Sequence, residues 1–349
     1  MARFLRRGEG KRPKFTSILL ILIVVLITAV LISFMIGRYS ITPHEFINLI
    51  TAQFGGDHSG EATMAQTVLF KVRFSRVIGA VLIGGALALS GAAYQGLFKN
   101  PMVSPDILGA SSGASFGAAL AILLGQNALG TQIFAFAFGL AAVFLALGVS
   151  NAISKGESGT VIVLVLTGMV VSSLFSALVS IAKYVADPYN TLPAITFWLM
   201  GGLSYVTNRD ILVMLVPFLA GAIPLILLRW RLNVLSFGDE EASSLGINPQ
   251  RLRIIAIICS TLMTSAAVSI GGMIGWVGLV IPHLARMLVG ANYKAVIPTA
   301  LVMGSIFMLV VDDVSRCLFT QEIPLGILTA MIGAPFFLYL LSTGRRGWV

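Results

Sequence analysis

Charge is scarce in this sequence. Only 11% of its 349 residues are Asp, Glu, Lys or Arg, while 57% are hydrophobic; a soluble domain carries about 25% charged residues. That shortage excludes a soluble domain and leaves a polytopic membrane protein, laid out by the bilayer more than by a water-excluded core. Cysteine is nearly absent. Cys259 lies inside an apolar run and Cys317 near the end of another, so no disulfide framework is expected. Histidine is limited to His44, His58 and His283. His283 has no His, Cys or acid beside it at ligand spacing, so it reads as a structural hydrogen-bonder and not as a metal ligand. No G-x-x-x-x-G-K-[ST] stretch occurs, so the chain has no P-loop to cradle ATP phosphates. Any ATP-driven work falls to a separate subunit. No Gly/Ser linker divides the chain, and residues 1–349 read as a single transmembrane domain.

Long apolar runs are plentiful. They fall near 17–37, 77–98, 107–126, 131–153, 160–183, 210–228, 252–270, 273–291, 295–314 and 324–342, each close to the ~20 residues a bilayer needs. The expectation is ten spanning helices. The basic segment "MARFLRRGEGKRPKFTS" precedes the first run, which is about 20 residues long and lacks a small-x-small cleavage site, so it reads as an uncleaved span. The net charge of +9 is scattered between apolar runs, which fits a positive-inside bias better than nucleic-acid binding. With both termini in the cytosol, sixteen Lys and Arg fall inside and seven outside.

"LFKVRFSRVIG", residues 69–79, then lies outside and holds Lys71, Arg73 and Arg76, three of those seven. Either it anchors the second span at the interface or it docks an acidic partner. The outer segment 38–66 carries a capping box at Thr42 and Glu45, before a short surface helix. In the inner turn "KNPMVSPDILG", Ser104 can cap the third span with Pro105 at its first helical position. "GASSGASFG" sets Gly109, Gly113 and Gly117 four apart, the spacing that lets helix backbones approach. Its match to G-x-S-x-G is rejected as a nucleophile elbow, because that needs a strand-to-helix turn and a His partner. Gly168, Ser172, Ser176 and Ser180 form a stripe on the fifth span, and Gly326, Thr329, Gly333 and Pro335 repeat it on the tenth. Such stripes either glue helices or line a weakly polar conduit.

The inner segment 229–251 is the longest polar stretch between later spans. Gly238 breaks the chain, Asp239 can cap a short helix with Glu240 and Glu241, and Leu245-Gly246 ends it. Asn248 and Pro249 open the seventh span. In "GGMIGWVGLVIPHLARMLVG", Pro282 interrupts a helix and frees carbonyls that a neighbour must satisfy. Asp312 and Asp313 precede Arg316 by four and three residues, the spacing of a helical salt bridge.

"GALALSGAAYQGLFKNPMVSPDILGASSGA", "GDEEASSLGI", "GMIGWVGLVIPHLAR" and "EIPLGILTAMIGAPFF" together resemble the iron-siderophore and cobalamin permease family of ABC importers, from the first span to the tail. The resemblance implies an all-α polytopic fold of about ten transmembrane helices, the type II importer architecture, in a bacterial inner membrane. It implies a dimer with a second permease subunit, two cytosolic ATPases that carry ATP and Mg, and one extracytoplasmic binding protein; the permease holds no cofactor and does no catalysis itself. The implied cargo is a ferric siderophore, with cobalamin or haem as alternatives. By the same resemblance, Arg73, Arg76 and Arg316 meet acidic residues of the binding protein, and residues 238–247 form the ATPase coupling helix, with Gly238, Asp239, Glu240, Glu241, Ala242, Leu245 and Gly246. Asn100 and Met102 match an inner gate turn, the 156–160 turn supplies a second, and the fifth and tenth spans line the path through Gly168, Ser172, Ser176, Ser180, Thr329 and Gly333. The family's R-x-P-R is R-F-S-R here, which changes turn stiffness and keeps the charge spacing. An ion-coupled secondary transporter would place ionisable residues at the midplane, and an intramembrane enzyme would cluster a catalytic set; the spans show neither pattern.

Overall fold

The computed structural model describes residues 15–54, 63–154, 161–318 and 320–344, and all regular structure among them is helical. In chain order the helices are α1 (Phe15–Met35), α2 (Pro43–Phe54), α3 (Met64–Gln66), α4 (Phe74–Leu97), α5 (Ala110–Leu123), α6 (Ala128–Ser154), α7 (Val161–Val185), α8 (Thr191–Met200), α9 (Asn208–Leu235), α10 (Asp239–Ser244), α11 (Pro249–Gly271), α12 (Val277–Val289), α13 (Tyr293–Cys317) and α14 (Leu325–Gly344). A π-helical stretch, Thr67–Arg73, joins α3 to α4 in one rod. Seven helices are long and apolar enough to cross a bilayer: α1, the α3–α4 rod, α6, α7, α9, α11 and α13. They coincide with seven expected spans, and α14 with the tenth.

The third and eighth expected spans are shorter than anticipated, for a backbone reason. Gly109 sits at φ +89 and Gly125 at φ +67, so α5 has 14 residues behind a 3-10 turn at Pro105–Leu108. Gly272 (φ +70), Trp276 (φ +71) and Gly290 (φ +82) likewise confine α12 to 13 residues. Left-handed backbone ends a right-handed helix. α8 was not anticipated. It is a ten-residue apolar helix inside the connection between α7 and α9, with Ile195 buried against Ala119, Ala182 and Ala186.

α4 is the axis of the fold and is buried over nearly its whole length. Its small residues permit this. Gly84 lies against the Gly304 carbonyl of α13, and Gly91 against Gly278 of α12, so close that a Cβ at either would collide with backbone. Without a hydrophobic drive between helices in lipid, such close packing supplies the attraction. The anticipated α5 stripe works the same way: Gly113 and Gly117 abut the Phe138 and Phe134 carbonyls of α6. Pro282 lies inside α12, and the Gln95 amide of α4 donates to the Leu279 carbonyl at 3.2 Å. His283 is partly exposed and makes no hydrogen bond among the described residues, so the structural hydrogen-bonding role expected of it is not seen.

Several caps follow the sequence. Thr42 and Glu45 form the reciprocal box, which holds the Glu45 carboxyl below its ordinary range through hydrogen bonds from the Thr42 backbone and hydroxyl. Asn248 accepts from the Arg251 amide with Pro249 at the first helical position. Ser104 makes no side-chain cap, although Pro105 stands where expected.

Candidate functional site

The end of the bundle where α4 begins and α13 finishes holds a charged network. Arg76, at the start of α4, donates through Nε to both Asp312 carboxylate oxygens at 2.9 and 3.0 Å, and through one Nη to Glu322 at 2.9 Å. Arg316 lies 3.8 Å from Asp312 and pairs with Asp313. Ser33, the one buried residue of α1, donates to Asp313 at 2.7 Å and accepts from Arg316, fixing α1 to the bundle. Arg73 donates to the carbonyls of Phe34, at 2.6 Å, and Tyr39. Ser204, in the turn after α8, donates to Glu322. Burial raises the Glu322 pKa, but the Ser204 hydrogen bond and the Arg76 charge outweigh it and leave the carboxyl below its ordinary range.

The three arginines expected at a docking rim therefore do come together, but not on the surface. Arg73, Arg76 and Arg316 are 4%, 6% and 5% exposed. A guanidinium pulled from water needs carboxylates or carbonyls around it; the Phe34 and Tyr39 carbonyls supply them for Arg73, and Asp312, Asp313 and Glu322 for Arg76 and Arg316. The exposed cations of this region include Lys71, Arg209 and Arg38, whose charge lowers the Glu322 pKa; Asn208 donates to the Phe70 carbonyl at 3.0 Å, which sets Lys71 and Arg209 on touching segments. Where a turn of altered stiffness was expected around Ser75, the chain is continuous helix. The Ser75 hydroxyl is buried and reaches the Lys71, Val72 and Val206 carbonyls. The helical pair of Arg316 with Asp312 and Asp313 was anticipated. The longer-range partner of Asp312, Arg76, and the role of Glu322 were not. The "EIPLG" stretch places a lone acid just before a helix start, the only signal available.

At the opposite end, α10 stands between α9 and α11. Gly238, not Asp239, is its N-cap, and Asp239 instead pairs with Arg253 of α11 at 2.6 Å. The Gly246 amide closes on Ser243 and the Ile247 amide on Ala242, with Gly246 at φ +75, so the helix ends as the sequence indicated. Ala242 is fully buried within this chain, which corrects its placement on a docking face. Glu240 and Glu241 are exposed, and Leu245 and Phe237 are 62% and 72% exposed. Asp239, Glu240, Ser243, Asn248, Pro249 and Gln250 line an open cleft of about 360 Å³ beside them.

Between the two ends, the path residues divide. Asn100 accepts from the Met102 amide at 2.9 Å in the inner turn, and Met102 is exposed. Ser176 and Ser180 are exposed on α7, each hydroxyl donating to the carbonyl four residues back at 2.8 and 3.1 Å, while Ser172 is partly covered beside Gly109. Gly168, Thr329 and Gly333 face inward. Gly168 abuts Ile107 and Leu108, Thr329 is buried with its hydroxyl on the Gly326 carbonyl, and Gly333 lies under Trp276. Those three are helix contacts within the chain, which is the packing alternative. The 156–160 turn lies outside the described residues. No group of three or more His, Cys, Asp and Glu able to hold a metal occurs among the described residues.

Residues 21–343 match the FecCD transport family. The chain is 42% identical over 336 residues to the molybdate import system permease protein MolB of Haemophilus influenzae, covering 95% of this chain and 97% of that one. It is 36% identical over 346 residues to the Fe(3+)-citrate import system permease protein YfmE of Bacillus subtilis, covering 97% and 98%. A solved structure described as an inward-facing conformation of a metal-chelate type ABC transporter superposes with a TM-score of 0.83 at 40% identity, over 94% of this chain and 99% of that one. A helical bundle threaded on a glycine-lined central helix, with a short acidic helix at one end and a neutralised arginine cluster at the other, thus belongs to the FecCD transport family, as a permease subunit of an ABC importer.

Proposed function

We propose that this permease carries a ferric siderophore inward, as one half of a dimeric membrane core. The exposed face of α7 carries the reading. From Val161 to Ala182 the helix has no charged side chain, and its exposed positions combine apolar residues with Ser173, Ser176 and Ser180, whose hydroxyls are spent on their own backbone. Such a face lets a bulky chelate slide without being held. A bare oxyanion calls for cations or free N–H donors. Specificity then resides in an external binding protein. YfmE and the metal-chelate transporter support the chelate. The 42% identity to MolB favours a second reading, molybdate.

In this proposal both termini and α10 lie in the cytosol. Phe237, Glu240, Glu241 and Leu245 press on an ATPase subunit, and nucleotide binding there moves α10 and switches the path between its two accesses. The binding protein lands on the opposite end, where Lys71 and Arg209 stand exposed above Arg73, Arg76 and Arg316. The substrate test is uptake in the host with and without this chain. Loss of radioiron–siderophore uptake with molybdate uptake intact supports the first reading. Loss of molybdate uptake alone replaces it with the second.

A further inference from the structure

We infer that Glu322 is an exchangeable carboxylate: it occupies Arg76 in the free permease and gives up that place to an acidic residue of the docking partner. The inference rests on the docking proposed above and adds how arrival is registered.

The two carboxylates on Arg76 are not equivalent. Asp312 is fully buried inside helix α13 and cannot leave without breaking the helix interior. Glu322 belongs to the connection between α13 and α14, and its side chain is 30% exposed where that of Arg76 is 7%. Of the two carboxylates only Glu322 reaches the surface, so its place is the one an incoming carboxylate would take. The guanidinium fork accepts either carboxylate with the same geometry, so exchange conserves the buried ion pair. Insertion of a third acid would not.

Release has somewhere to go. Segment 320–324 is tied to the body by a few bonds: the Ser315 hydroxyl to the Ile323 carbonyl at 2.6 Å, the Ile323 amide to the Ser315 carbonyl at 3.4 Å, and the Ser204 hydroxyl to Glu322. Next to it, the Leu325 amide donates to the Gly201 carbonyl at 3.0 Å, and the Gly202 amide to the Gly271 carbonyl at 2.8 Å. Gly271 opens the non-helical break before α12, where Trp276 holds φ +71 with its ring against Gly333 and Phe337 of α14. A bulky side chain in that region is held by its surroundings. Glu322 is thus two backbone hydrogen bonds from a break in the helical bundle, and its displacement loosens the first of them.

The test uses the full chain with its own ATPase subunit in lipid nanodiscs, titrated with the binding protein purified from the same host. Glu322→Gln removes the competing charge and keeps the side chain's shape. Docking should tighten about fivefold, the effect of one exposed ion pair, and ATP hydrolysis without binding protein should rise. A purely structural residue would weaken docking when altered; only a competitor strengthens it. Glu322→Asp keeps the charge one methylene further back and should give a smaller gain, so it decides the matter if Glu322→Gln folds poorly. Lys71→Glu and Arg209→Glu serve the docking proposal itself. If they weaken docking while both Glu322 variants leave it unchanged or weaker, exchange is overturned and the docking face stands. If none of the four alters docking, both are overturned.

Discussion

Ala242 is buried inside α10 while Leu245, the C-cap of that helix, is exposed, so the same substitution should fail differently at each. Leu245→Arg adds a charge to an exposed site; the protein should reach the membrane in normal yield and lose ATPase-coupled uptake. Ala242→Arg forces a long cation into a site with no room and no carboxylate partner, a combination of overpacking and buried charge. It should lower the membrane yield itself. Glycine contacts give a second residue-level test. Gly91→Ala drives a methyl into Gly278 backbone and should cost about 1–3 kcal/mol or more, read as a fall in thermal midpoint. Gly148→Ala, where nothing lies within 4 Å, should leave it unchanged. Although Ser104 and Asp239 do not make the caps expected of them, the caps and stops at Thr42, Glu45, Asn248 and Gly246 were legible in advance, because these residues act on neighbours in sequence. The burial of Arg73 and Arg76 was not. Their partners come from positions 34 to 39 and from beyond 310, and charge spacing alone does not say what folds back over it.

For whole elements, apolar length located eight of the ten expected spans, since twenty apolar residues have few alternatives in lipid. It overstated α5 and α12, where glycines and Trp276 adopt left-handed backbone within an apolar run, and it passed over α8, too short to register as a span. The connection before α14 has a testable pH signature. Glu322 has a depressed pKa in the folded state, with burial opposed by the Ser204 bond and Arg76. Its contribution to stability is therefore complete above the ordinary carboxylate range and is lost as pH falls through its lower folded value. The thermal midpoint of the wild type should exceed that of Glu322→Gln by a constant amount near neutrality. The two curves should converge in acid, below the ordinary carboxylate range. A constant offset throughout would remove Glu322 from the ion network.

The whole molecule spends its few charges at its ends. The arginines and acids around Arg76 pair with each other, Glu240 and Glu241 at the opposite end remain exposed, and the exposed face of α7 between is apolar with hydroxyls already satisfied. That distribution suits a passage whose energy and selectivity come from other subunits. Its architecture was legible from composition and its family from four motifs; its cargo was not, because the exposed face of α7 carries no charged side chain from Val161 to Ala182 that would point to one. The decisive measurement is uptake into proteoliposomes holding this chain and its ATPase, with the binding protein outside and ATP inside. Substrate should accumulate only when ATP and the binding protein are both present, and a collapsed ion gradient should make no difference. Accumulation without ATP, driven by a proton or sodium gradient, would contradict an ATP-driven permease.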